Sequence, residues 1–293
     1  MTAGVWAAGL TPLHADLSID APLMAQHVTT LLANGCDGVV IFGTTGEAPS
    51  FSVAERRQAL EELVLAGINP QSLMVGTGTT AITDTVELSA HAGAVGVAGV
   101  LVLPPFYFKD PTRAGLVAGF RAVLDQTPDD LALYLYHFPR LSTVPIQPGL
   151  IEELRSSHGS RVAGVKDSSG EIGSMQAFST VNDFAVFGGT ERLLVENIRL
   201  GGAGVITATA NVEAPLIARV RDEEAAGTRA DDRTMLAVRT VYERHGAIPA
   251  MKATLADRQG HNGWLRVRPP LVSLGADARL RLLDDLEAIA RQD

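Results

Sequence analysis

Eight short apolar runs, each four to six residues long, recur along the chain and are separated by longer amphipathic stretches. The runs are Gly4–Ala8, Gly38–Phe42, Leu73–Gly76, Gly99–Leu103, Leu131–Tyr136, Val162–Lys166, Phe184–Phe187 and Gly204–Thr207. They are apolar on both faces, the pattern of parallel strands covered by helices on either side. Between them, Val53–Gly67, Ile82–Val95, Thr112–Gln126 and Gly149–Ser157 carry apolar residues at helical spacing, as at Ala59, Leu63 and Ala66. Ser52, with Glu55 three residues on, forms a capping-box signature for one helix start. Eight β/α units in about 210 residues fit a closed barrel; a doubly wound open sheet is the rival. Polar residues follow many different runs: Thr44-Thr45-Gly46-Glu47, Tyr107, Tyr136-His137, Lys166-Asp167, Glu191 and Thr207. A barrel gathers all of those strand ends on one face, whereas an open sheet gathers only those near its switch point. The expected architecture is therefore a (β/α)8 TIM barrel with a C-terminal helical extension. Residues 1–215 would form the barrel through its eighth strand, and 216–293 its last helix and a C-terminal helical domain.

Lys166 sits where an inward-facing strand should end. Only three of the 24 basic residues are lysines, namely Lys109, Lys166 and Lys252. Arginine supplies surface charge equally well but cannot shed its proton to act as a nucleophile. A lysine at a strand end is thus a candidate amine nucleophile, weighed against a lysine whose stem is buried and whose head is wet. The attacking form is the neutral amine, which a dry barrel mouth favours. Asp167 would oppose this if it faced the amine, but strand alternation turns residue 167 to the other side. By the same alternation Tyr134 and Tyr136 share a face, and Tyr136 lies nearer the strand's C-terminal end. It is a candidate proton shuttle, with Thr44 or Thr45 as hydrogen-bond partner; the bland alternative is a core tyrosine. The turn Gly43-Thr44-Thr45-Gly46-Glu47 could bind a carboxylate through its amides, or be only a capped turn.

Composition closes off other classes. With 46% hydrophobic and 19% charged residues the chain is well cored, and a net charge of −9 lacks the clustered positive charge that nucleic acid requires. Cys36 is the only cysteine, so no internal disulfide can form and a reducing cytoplasm fits. Neither a membrane span nor a signal peptide is expected. The seven histidines are scattered, without a His-x-His or Glu-x-x-His pair, which disfavours a metal-dependent enzyme.

Five segments carry a family resemblance: Gly43-Thr44-Thr45-Gly46-Glu47, Tyr136-His137-Phe138-Pro139, Gly164-Val165-Lys166-Asp167, Gly188-Gly189-Thr190-Glu191 and Val267-Arg268-Pro269-Pro270-Leu271. Together, in this order, they resemble the dihydrodipicolinate synthase / N-acetylneuraminate lyase family of pyruvate-dependent class I aldolases. The resemblance spans nearly the whole chain. It implies a barrel with a C-terminal helical domain and no cofactor beyond a covalent Schiff base between Lys166 and a keto acid. It implies Tyr136 as general acid/base and Thr44 with Thr45 as binders of the pyruvyl carboxylate or proton relays. Ile206 would line the site through its backbone carbonyl. Tyr107, in Pro105-Phe106-Tyr107, would reach into a neighbouring subunit's site, which implies a homodimer or homotetramer.

One position departs from the synthase branch. Synthases carry an arginine two residues beyond the proline that follows the tyrosine, and here that residue is Leu141, with Arg140 one place earlier. Pro139-Arg140-Leu141-Ser142 is similar to the lyase and 2-keto-3-deoxy sugar acid aldolase branches. His137 also replaces a commoner asparagine. Arg140 or His137 would then contact a polar or anionic tail of the second substrate, and Thr190, Glu191 and Thr207 could meet a polyol chain. Glu191 could equally be a charge favoured at a helix start. The leading expectation is a lyase that cleaves a 2-keto-3-deoxy sugar acid to pyruvate and an aldehyde. The alternatives are synthase chemistry with aspartate semialdehyde, dehydration of a sugar acid at the same Schiff base, and a non-catalytic binding protein on the same barrel.

Overall fold

The computed structural model describes residues 2–291, so positions 1, 292 and 293 of the expected spans lie outside the described residues. The elements alternate along the chain as β1 (Gly4–Ala8), α1 (Ala21–Ala33), β2 (Gly38–Ile41), α2 (Val53–Leu65), β3 (Leu73–Gly76), α3 (Ile82–Val95), β4 (Gly99–Val102) and α4 (Arg113–Leu124). They continue as β5 (Leu133–His137), a single turn α5 (Pro139–Ser142), α6 (Pro148–His158), β6 (Val162–Asp167), α7 (Ile172–Ser179), β7 (Ala185–Gly188), α8 (Leu194–Arg199) and β8 (Gly204–Thr207). After β8 come α9 (Ala210–Ala225), α10 (Arg233–Arg244), α11 (Ala247–Gln259) and α12 (Ala276–Ala290). The eight strands pair in sequence order, all parallel, and β8 closes onto β1. This is the expected (β/α)8 barrel with helices after it. The expected dividing point at 215 falls inside α9, beside a kink where Glu213 leaves helical geometry two residues before Pro215.

Two apolar layers account for the closure. One face of each strand points inward, where Trp6, Met74, Leu101, Tyr134, Phe187 and Ile206 fill the barrel. The other face, with Val39, Val75, Val100, Leu135, Val165 and Val205, packs under the ring of helices. Room for the large inner aromatics comes from residues without side chains. A Cβ on Gly164 would sit 2.8 Å from the Tyr134 ring and 2.3 Å from the Ala185 carbonyl, so only glycine lets β6 pass there. The helix starts follow local chemistry. Ser52 and Glu55 cap α2 reciprocally, and Thr112 caps α4 by accepting from Gly115 N–H. A separate core around Tyr242, Met251, Trp264 and Leu282 binds α10, α11 and α12 together and includes Leu10, Leu23 and Val212. The extension is thereby packed directly on the barrel.

Candidate active site

The parallel register of β5 and β6 sets Tyr136 beside Lys166 at the C-terminal mouth of the barrel. Both side chains point inward, because Leu135 and Val165 on either side belong to the outer layer. Lys166 is 4% exposed, and its Nζ lies 4.6 Å from the centre of the Tyr136 ring. The Tyr136 hydroxyl is hydrogen-bonded to Thr44 Oγ1 at 3.2 Å. Lys109 donates to the Phe106 carbonyl and Lys252 is ion-paired with Glu47. Lys166, by contrast, has no carboxylate partner among the described residues; Asp167 faces the outer layer as expected, accepting from Ser169 N–H at 2.9 Å. A cleft of about 370 Å³ opens over Lys166, Tyr136, Thr44 and Thr45, and its walls include Phe138, Arg140, Thr190, Arg192, Arg239 and Met251. A buried amine without an ion pair among the described residues, a phenol bonded to a threonine hydroxyl, and the Thr44-Thr45 turn thus share one cleft, and an amine so placed is a candidate nucleophile.

The other expected site residues divide. Arg140 reaches the cleft wall, its guanidinium 5.6 Å from the Phe138 ring centre, and Leu141 stands beside it. Ile206 lies inside the barrel among the inner-layer side chains. Tyr107 is 71% exposed on the loop after β4, edge-on to the exposed Phe108, and not in this chain's own cleft.

Three residues expected to touch substrate are turned away from the cleft. His137 follows Tyr136 by one residue, so it faces outward against Phe178 of α7, and its Nδ1 accepts from Ile146 N–H at 3.0 Å. Burial holds its imidazole below the ordinary histidine range, although Asp167 nearby opposes this. Thr207 follows the inward Ile206 by one residue and donates to Glu191 Oε2 at 2.5 Å. Glu191 is 0% exposed and paired with Arg239 Nη1 at 3.1 Å. Strand alternation turns His137 and Thr207 away from the cleft, while Glu191, at the start of the turn Glu191–Leu193, is held in the wall by Thr207 and Arg239.

The cleft also has members that nothing in the sequence singled out. Arg239 links Glu191 to Glu243, and Arg192 pairs with Glu243 at 2.7 Å. Arg192 adjoins the noticed Glu191, so proximity in sequence could have raised it. Arg239 and Glu243 come from α10 of the extension, and no local signal connects α10 to the mouth. Cys36 is buried, and burial pushes its thiol up to about 12, so it is a poor nucleophile. Among the described residues no group of three or more His, Cys, Asp or Glu side chains is placed to hold a metal, and no helix is long and apolar enough to cross a membrane.

A closed eight-stranded barrel with a lysine, a tyrosine and a threonine turn around one mouth defines the class: a (β/α)8 barrel with its reactive groups gathered at the C-terminal ends of its strands. The chain belongs to the dihydrodipicolinate synthetase family, whose model matches residues 1–289. It is 38% identical over 256 residues to an uncharacterized DapA-like lyase of Chloroflexus aurantiacus, covering 86% of this chain and 85% of that protein. Its structure is similar to the crystal structure of dihydrodipicolinate synthase from Agrobacterium tumefaciens, with a TM-score of 0.90, 31% identity and 98% and 99% of the two chains covered. It is also similar to YagE, a prophage protein of the same family from E. coli K12 crystallised with pyruvate, with a TM-score of 0.87, 25% identity and 98% of each chain covered.

Proposed function

We propose that this protein is a Schiff-base-forming class I aldolase or lyase. It would reversibly cleave a 2-keto-3-deoxy sugar acid, with or without an anionic tail, to pyruvate and an aldehyde. The observation that carries this reading is Lys166, buried in the cleft with its amine against Tyr136 and no counter-ion among the described residues. Nζ adds to C2 of the keto acid, and the carbinolamine loses water to give a protonated Schiff base. Loss of the C4 hydroxyl proton breaks C3–C4, and the electron pair passes into the iminium to leave an enamine and a free aldehyde. Protonation of C3 and hydrolysis return pyruvate and Lys166. The Tyr136 hydroxyl, bonded to Thr44, is the group in reach to carry these protons. Thr44 and Thr45, with the turn amides, would hold the pyruvyl carboxylate. In the assembled protein, a homodimer or homotetramer, Tyr107 would enter the neighbouring subunit's cleft.

The family relatives named as synthases support a second reading, in which the acceptor is aspartate semialdehyde. Arg140 on the cleft wall could grip its carboxylate in place of the arginine that Leu141 replaces. A third is dehydration of a sugar acid from the same Schiff base. Borohydride reduction with pyruvate, followed by intact mass, tests the shared chemistry: a stable adduct is expected on the native protein and none on Lys166→Arg. No adduct at saturating pyruvate would refute all three readings and leave a binding protein. Screening aldehyde acceptors in the condensation direction then separates the first two, and water loss from a sugar acid identifies the third.

A further inference from the structure

The chain's third lysine is far from solvent and has no part in the chemistry above. Lys252, on α11, is 1% exposed. Its amine donates to Glu47 Oε1 and to the Arg266 carbonyl, the latter at 2.7 Å. Glu47 is 3% exposed, and its other oxygen accepts from the backbone N–H of Arg268 at 2.8 Å. Glu47 is also the last residue of the turn that presents Thr44 and Thr45, closing it by donating its N–H to the Thr44 carbonyl at 3.1 Å. Its φ of 58° lies in the left-handed region, which a residue with a side chain keeps only when its surroundings hold it there. On the barrel side the turn is held by Thr11, whose hydroxyl donates to the Gly46 carbonyl at 2.8 Å, and by the Thr44–Tyr136 hydroxyl contact. On the far side the anchors come from the C-terminal extension.

We propose that Lys252 is a positioning residue for the carboxylate of the keto acid, acting through Glu47 on the Thr44-Thr45 turn. The inference rests on the reading that this turn binds that carboxylate. Two physical effects combine. The buried ion pair fixes the strained end of the turn, so the threonine hydroxyls and amides are held in place before the ligand arrives. It also cancels a negative charge two residues from Thr45, which would otherwise repel an anion in a poorly screened site. Helix α11 thus contributes Met251 to the cleft wall and, one residue on, the cation that holds the opposite wall's turn.

The test is the pyruvate dependence of borohydride trapping in the full-length protein. Lys252→Met leaves Glu47 buried without its cation. It should raise the half-saturating pyruvate concentration about tenfold or more and leave the trapping rate at saturation within about threefold. The double variant Lys252→Met with Glu47→Gln keeps no uncompensated charge but lacks the anchor, so its half-saturation should fall between the two. This variant also decides the matter if Lys252→Met does not fold, because a native pyruvate dependence in the folded double variant overturns the inference. Leu282→Ala, in the same extension core, controls for general loosening: it should lower the thermal midpoint and leave half-saturation unchanged. An equal shift in Leu282→Ala, or no shift in a folded Lys252→Met, also overturns it. Absence of any adduct on the native protein is a different failure, that of the Schiff-base reading itself.

Discussion

Arg239→Met is the perturbation that most directly tests how the cleft wall is built. Glu191 has no exposed surface, and its bonded oxygen is shared between Thr207 and Arg239, the latter at 3.1 Å. At that distance the attraction is about 5 kcal/mol for an effective dielectric constant near 20. Much of it offsets desolvation, so the quantity to expect is the cost of leaving one buried charge alone, about 3 to 5 kcal/mol. Arg239 keeps 16% of its side chain exposed, which puts the cost at the lower end. Loss of its i,i+4 contact with Glu243 adds at most about 0.5 kcal/mol. Methionine retains the apolar stem, so packing is nearly preserved. For a chain of 293 residues, a loss of about 3 kcal/mol corresponds to a Tm lower by about 5 °C. Adding Glu191→Gln removes the stranded charge and should recover about 2 kcal/mol, a coupling that a double-mutant cycle by urea unfolding measures. If Arg239→Met costs under about 1 kcal/mol and the two changes are simply additive, the ion pair does not hold the wall. Glu191 would then be free to turn toward a ligand.

Three further outcomes are expected. Tyr136→Phe removes the hydroxyl bonded to Thr44 while leaving the ring in place, and pyruvate adduct formation should slow by about 100-fold in a trapping time course; an unchanged rate would mean that another group carries the proton. Arg140→Ala should raise KM about tenfold for an acceptor aldehyde with an anionic tail and leave the pyruvate dependence alone, whereas an equal loss with a neutral acceptor would show that the guanidinium does not read charge. Burial lowers the His27 imidazole from 6.5 to about 4 despite its bond to Asn211, so the unfolded chain takes up that proton first as pH falls. Stability should therefore drop by about 2 kcal/mol between pH 7.5 and pH 5, fully present above 6.5 and lost toward 4; a His27→Gln protein with the same acid slope would assign the loss elsewhere.

How much of this was legible in the sequence depended on the range of the interaction. The strands were readable because a buried parallel strand needs an unbroken apolar run, and the observed strand ends differ from the runs by two residues at most. The run from Leu131, for example, enters the sheet at Leu133 and extends to His137. The α2 capping box was readable because four adjacent residues make it. Alternation correctly put Asp167 behind Lys166. Applied one residue further along, it would also have removed His137 and Thr207 from the substrate face; their adjacency to Tyr136 and Ile206 was taken for a shared role. Arg239, Glu243 and the Glu47–Lys252 pair were not legible at all. They meet only because a helical extension folds back over the barrel mouth, across 48 positions in one case and 205 in the other.

That division also explains how one barrel can keep its chemistry while its substrate changes. The amine and phenol are held by register: Tyr136 and Lys166 are direct partners on adjacent strands, and their neighbours on the outer face are locked under helices. Changing either relationship would require a slip of β5 against β6, which would turn the inward aromatics Tyr134 and Tyr136 into the outer layer and the aliphatic Leu133 and Leu135 into the barrel. The acceptor end has no such constraint. Arg140 and Leu141 lie on the short turn α5, while Arg192 and Arg239 reach the cleft from α8's approach and from α10. Substitutions at Arg140, Leu141 and Arg192 alter charge and shape at the mouth without touching a strand, whereas Arg239 is tied through Glu191 to Thr207 of β8. On the proposed Schiff-base reading, selectivity for the aldehyde should therefore respond to changes at positions 140, 141 and 192, while capture of the keto acid should depend on Lys166, Tyr136 and the Thr44-Thr45 turn. A set of Arg140, Leu141 and Arg192 variants that all trapped pyruvate normally yet ranked acceptors differently would bear this out, and a set that lost trapping in step with acceptor use would refute it.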